Sequence, residues 1–164
     1  MAGANKRVAR VITATARRAA AIAALTGPEL AFACAAFALA PVVRASLGRF
    51  GLERTMKHLE RIVPPRTATG AVSVAKGAEL VRWAFRGGDG TCLPESLVQL
   101  ALHRWFGPEV ELVVGVQRGE PRSSQPVGWE LRAHAWIERI DPTGEASVGE
   151  RTPFEPILRR RLRA

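Results

Sequence analysis

Cysteine is scarce in this chain, and the two present, Cys34 and Cys92, cannot build a disulfide scaffold. No oxidising signature accompanies them, so the sequence reads as that of a cytoplasmic protein, where a thiol stays reduced and available. Histidine is almost as rare. His58 and His103 fall in helical segments without partners at metal-ligand spacing and read as surface or core residues, which leaves His134. Acidic residues number 15 against 24 Lys and Arg, a net charge of +9. Such an excess raises nucleic acid as a partner. The arginines gather in an N-terminal arm (Lys6, Arg7, Arg10, Arg17, Arg18) and a tail (Arg159, Arg160, Arg161, Arg163), with no helix-turn-helix, zinc finger or aromatic stacking strip. We therefore expect no nucleic acid, and assign the charge to the attraction of an acidic peptide or partner protein. Tyrosine is absent and tryptophan occurs four times, which decides nothing. No internal repeat is present. No apolar run is long enough to span a bilayer: the longest, Leu30 to Val43, has 14 residues and contains Pro41, against the roughly 20 required.

What is present divides the chain into an N-terminal helical segment, residues 1–66, and a second part, 67–164. The first is rich in alanine. Thr26-Gly27-Pro28-Glu29 is a capping box with proline in the first turn, so a helix begins there. A core helix is expected over the apolar run. A signal peptide is disfavoured, because Pro28 and Glu29 interrupt the apolar approach and Pro41 would follow directly after the cut. Peripheral membrane contact suits a segment that is basic at one end and apolar in the middle. Leu52, Met56 and Leu59 mark a further amphipathic helix that Pro64-Pro65 ends. After the linker-like RTATGAVS, Val74 to Phe85 reads as a helix leading to the loop Gly87-Gly88-Asp89-Gly90. That loop lacks the residues of a phosphate cradle, and its better role is to let backbone approach a substrate.

Cys92 follows at once and opens a helix, with Thr91 as N-cap and Pro94 in the first turn. The free N–H groups and positive dipole end of a helix N-terminus stabilise a thiolate, the nucleophilic form. Leu93, Leu97, Leu100 and Ala101 recur at helical spacing, while Cys92, Ser96 and Gln99 lie on another face. ELVVGVQRG then reads as a strand with Leu112, Val114 and Val116 alternating. WELRAHAWIERI reads as a second, with Leu131, Ala133, Ala135 and Ile137 on one side and His134 and Trp136 on the other. A helix-borne cysteine followed 42 residues later by a strand-borne histidine is the order of papain-like and transglutaminase-like thiol enzymes. An isolated cysteine or histidine in such places is more often a packed residue. Trp136 either roofs the site or belongs to the core.

The stretch from Arg82 to Pro156 resembles the microcin and lasso-peptide processing proteins, a transglutaminase-like family of leader peptidases. The resemblance rests on TCLPESL around Cys92, the strand ELVVGVQ, AHAWIE around His134, and VGERTPFEPIL. It covers about half the chain. It implies Cys92 as nucleophile and His134 as general base and then general acid, with the Cys92 backbone N–H as oxyanion donor. It further implies that a leader is removed from a ribosomally made precursor peptide, and that a cyclase then closes a macrolactam on the freed amino terminus. No cofactor is implied, and a separate leader-recognition protein is expected to present the substrate. The family places an aspartate soon after the histidine, beyond a short hairpin. Here the hairpin is longer: Asp141 falls in its turn, and Glu150 occupies the later register. Glu150 is the first candidate for the third member and Asp141 the second, with solvated loop charges the plain alternative for both.

The expectation is an α+β, transglutaminase-like and papain-like cysteine protease core, a Cys-bearing helix on a small antiparallel sheet, with the N-terminal helical segment packed over it. Two other functions fit the same residues: a thiol-dependent acyl or amine transferase of transglutaminase type, and a non-catalytic basic scaffold.

Overall fold

The computed structural model describes residues 20–63, 71–85, 92–118, 131–140 and 153–162. Three helices precede three strands: α1 (Gly27–Ile62), α2 (Val74–Ala84), α3 (Cys92–Phe106), β1 (Val110–Arg118), β2 (Leu131–Arg139) and β3 (Glu155–Arg160). This is the expected α+β arrangement.

Helix α1 starts where the capping box requires. The Thr26 N–H donates to Glu29 Oε2 at 2.8 Å, and the Glu29 N–H reaches Thr26 Oγ1 at 3.5 Å, so two otherwise orphaned donors are satisfied reciprocally. The Thr26 backbone N–H, and with it the Thr26 hydroxyl at 2.9 Å, donate to the Glu29 carboxylate and hold it below its ordinary range. The helix runs through Pro41 and bends at Gly51, whose φ of 74° and ψ of 179° no side-chain-bearing residue adopts cheaply. Thr55 closes the bend, its hydroxyl 2.8 Å from the Gly51 carbonyl and 2.9 Å from Ser46 Oγ. The two legs are the two helices read from the sequence. One face of the first leg carries Phe32, Ala33, Ala36, Ala40 and Val43 into the core; Met56 and Leu59 continue it in the second.

Helix α3 is central: α1 and α2 pack on one side of it and β1 and β2 on the other. It buries Ser96, Leu97, Val98, Leu100, Ala101, Leu102 and His103. That pattern goes round the helix, and its cause is tertiary: a helix clad on both sides has no free polar face. The face bearing Cys92, Ser96 and Gln99, which the sequence sets apart from the apolar stripe, is turned into protein at Ser96. A single core runs from Phe32 through Leu80, Leu97 and Leu112 to Ala135.

The strands form one antiparallel sheet in the order β2-β1-β3, so β1 is flanked on both sides. Leu112 pairs with Ile137 and Val114 with Ala135, which puts these four on the face that meets α3. β3 is a correction to the sequence reading, which left its arginines in a basic tail. Arg159 and Arg161 are instead tied to the sheet, as described below.

Candidate active site

Cys92 stands first in α3, half-buried and packed against the edge of the core as a free thiol. The chain starts the helix here because Pro94 lies in the first turn, where its missing N–H removes no intrahelical bond. The expected N-cap, Thr91, and the glycine loop 87–90 lie outside the described residues. One turn further on, the buried Ser96 hydroxyl donates to the Ala135 carbonyl at 3.0 Å. Ala135 is the neighbour of His134 in β2. With 1.5 Å of rise per residue, the thiol-bearing residue is only about 6 Å along the helix axis from that anchor. The bond thus fixes the start of α3 beside the strand segment that holds the histidine.

His134 leaves β2 on the face opposite Ala135, as alternation demands. There it is half-buried in an aromatic cluster. The Trp136 ring stacks on it at a centroid distance of 5.9 Å and an interplanar angle of 16°, and Phe154 lies at 5.2 Å. Opposite His134 in the neighbouring strand is Gly115. A Cβ there would come within 2.7 Å of Trp136 Cη2 and 2.9 Å of the Glu155 carbonyl oxygen, so the absence of a side chain is what admits the indole. Among the described residues no hydrogen bond joins Cys92 Sγ to the imidazole. The structure brings helix start and strand together through Ser96 and Ala135, but His134 leaves the strand on the sheet face turned away from α3, so the two predicted site side chains are not in contact.

Trp136 is held in turn. Its indole N–H donates to Glu138 Oε1 at 2.8 Å. Arg159 Nη1 reaches across from β3 to Glu138 Oε2 at 2.7 Å and to the buried Glu111 at 2.5 Å, and Arg161 Nε approaches Glu111 at 3.4 Å. Glu138 first, and Glu111 second, raise the Arg159 guanidinium above its ordinary range. Sequence reasoning missed Ser96, Glu111, Glu138 and Arg159. Only the first offered a signal, a small hydroxyl residue one turn after Cys92.

Glu150 and Asp141, the two candidates for the third member, lie outside the described residues. Among the described residues no group of three or more His, Cys, Asp or Glu side chains is placed to hold a metal ion. His103 is fully buried among Phe32, Gly77 and Gly107, with neither ring nitrogen hydrogen-bonded. Burial pushes it down to about 4.

Residues 36–159 match the family model described as the Transglutaminase-like superfamily. No curated protein and no solved structure matches the chain.

Proposed function

The chain belongs to the transglutaminase-like superfamily, which includes cysteine peptidases and transglutaminases, and on that premise we propose that it is a cysteine peptidase that removes the leader from a ribosomally made precursor peptide. The observation that carries this reading is the position of Cys92 as first residue of α3, anchored through Ser96 to the strand residue next to His134.

His134 takes the Cys92 proton, and the thiolate sulfur bonds to the carbonyl carbon at the leader–core junction. The carbonyl electron pair moves to oxygen, where the Cys92 backbone N–H, which has no intrahelical acceptor at the helix start, stabilises the charge. As the pair returns, the C–N bond breaks and His134 gives its proton to the leaving amine. The core peptide departs with a new amino terminus. The leader stays as a thioester on Cys92 until water, deprotonated by His134, releases it as a carboxylic acid. Glu150, or Asp141 in its place, would orient the imidazole. A leader-recognition protein presents the substrate, and a macrolactam-forming cyclase consumes the product.

The resemblance of TCLPESL and AHAWIE to leader peptidases favours hydrolysis over transfer to an amine. The test is incubation of the full chain and of Cys92→Ala with the precursor peptide and its leader-recognition protein, read by mass spectrometry. Cleavage at one junction, dependent on Cys92, is expected. Amide formation with an added amine in place of cleavage would reassign the protein as a transferase, and equal inactivity of both forms beside a leader-recognition protein shown to bind would reassign it as a scaffold.

A further inference from the structure

Helix α1 buries one face and leaves the other open, and the open face is apolar over a long stretch. From Leu30 to Val43 the sequence holds no charged residue. The exposed positions recur at helical spacing: Leu30, Ala31, Cys34, Phe37, Ala38, Pro41 and Val42. Phe37 is 54% exposed and Val42 51%, far above what side chains of this kind retain in a protein interior. At its C-terminal end this stripe runs into the inside of the Gly51 bend. An open groove of about 390 Å³ lies there, lined among others by Val42, Phe50, Ile62, Arg49 and His58. Exposed cations follow: Arg44, Arg49, Arg54, Lys57 and Arg61, against Glu53 as the one exposed acid of that stretch.

We propose that this face docks the protein on the surface of an anionic lipid bilayer, with Leu30, Phe37 and Val42 in the acyl boundary and Arg44 and Arg49 among the headgroups. By length and composition α1 would also pass as a membrane span. The packing argues for lying in the interface instead. Phe32, on the opposite face of the same turns, is fully buried against His103 and Phe106, at 5.4 and 5.9 Å, and the helix start is tied into the body of the protein along that face. A helix with one side in a protein core cannot be ringed by lipid, but it can lie in the plane of the surface with its other side inserted. Charge complementarity selects the lipid: a chain of net charge +9 with its helix cations clustered at one end of an apolar stripe matches the negative surface of anionic bilayers. A specific protein partner fits less well. The stripe offers no hydrogen-bonding side chain apart from the Cys34 thiol to set register, whereas protein interfaces carry about one hydrogen bond per 100–200 Å². A fluid surface requires none.

The experiment is vesicle flotation of the full-length chain, with phosphatidylcholine alone and with phosphatidylcholine containing phosphatidylglycerol, at low and high salt. Wild type is expected to float with the anionic vesicles, at least about tenfold more than with the zwitterionic ones, and to lose most of that difference in high salt. Phe37→Glu should weaken binding about tenfold or more, in line with the loss of one inserted aromatic. Leu30→Ser is a second, milder variant at another exposed position. The pair Arg44→Gln/Arg49→Gln should remove the preference for anionic lipid and spare the residual binding. Retained thermal unfolding in Phe37→Glu keeps the comparison meaningful, and Leu30→Ser replaces it if unfolding shifts. Absence of flotation with either vesicle, or flotation unchanged by both apolar-face variants, overturns the proposal. So does a self-association seen by light scattering that Phe37→Glu abolishes while wild type ignores vesicles, since the face then belongs to a second copy.

Discussion

Lowering the pH should destabilise the protein through His103 before its carboxylates titrate. The ring is fully buried, crowded by Gly77 and Gly107, and has no hydrogen-bond partner for either nitrogen. Burial drops its value from 6.5 to about 4. A histidine that is harder to protonate in the fold than in the unfolded chain stabilises the neutral, folded form. Its contribution is complete above about pH 6.5 and is lost as pH falls toward 4, because the unfolded state then binds the proton that the folded state refuses. The full gap of about 2.5 units corresponds to roughly 3 kcal/mol. Between pH 7 and pH 5, where most carboxylates stay ionised, the linkage relation yields about 2 kcal/mol. With a urea slope near 2 kcal/mol/M, the midpoint should fall by about 1 M. The assay is urea unfolding at pH 7, 6 and 5 for wild type and His103→Leu, whose side chain is of similar volume. The variant should lie within about 1.5 kcal/mol of wild type at pH 7, and its midpoint should shift much less on acidification. Equal shifts in the two proteins would mean that His103 is not the group whose protonation unfolds the protein.

Three further substitutions probe the site and its supports. Ser96→Ala removes the donor to the buried Ala135 carbonyl; a loss of about 1–3 kcal/mol in stability is expected, with a fall in cleavage rate larger than any change in peptide affinity, read from kcat and KM separately. Gly115→Ala sets a Cβ 2.9 Å from the Glu155 carbonyl oxygen and 2.7 Å from the Trp136 ring. It should cost about 1–3 kcal/mol and displace the indole from His134, seen as a change in tryptophan emission. Arg159→Ala leaves the buried Glu111, among the described residues, with only the longer contact to Arg161. Thermal unfolding should show it to be more damaging than the double change Glu111→Gln/Arg159→Ala, because an unpaired buried carboxylate is worse than a neutral one.

Local chemistry was legible in the sequence and long-range chemistry was not. The capping box at Thr26 and Glu29 and the helix opening at Cys92 are written in neighbouring residues, and α1 and α3 begin there. The alternation in ELVVGVQ and LRAHAWIE placed β1 and β2 to within a residue or two and put His134 and Trp136 on one face. β3 escaped because EPILRR is short, begins beside a proline and carries charge where apolar alternation is sought; its partner Glu111 is 48 residues away from Arg159. The burial of Ser96 was hidden for a related reason. Periodicity sees one helix at a time, and α3 is clad on two sides by elements that no window around it contains. The stacked arrangement of His134, Trp136 and Phe154 likewise needed the strand pairing to become visible.

In the proposed reaction Cys92 carries the acyl group. The direct measurement is intact-protein mass spectrometry of the chain mixed with its precursor peptide and leader-recognition protein, quenched in acid at short times. An adduct of the leader as a thioester on Cys92 is expected, absent in Cys92→Ala and strongly reduced in His134→Ala. Cleavage that persists in Cys92→Ala, or an adduct that maps to Cys34, would contradict that role of Cys92.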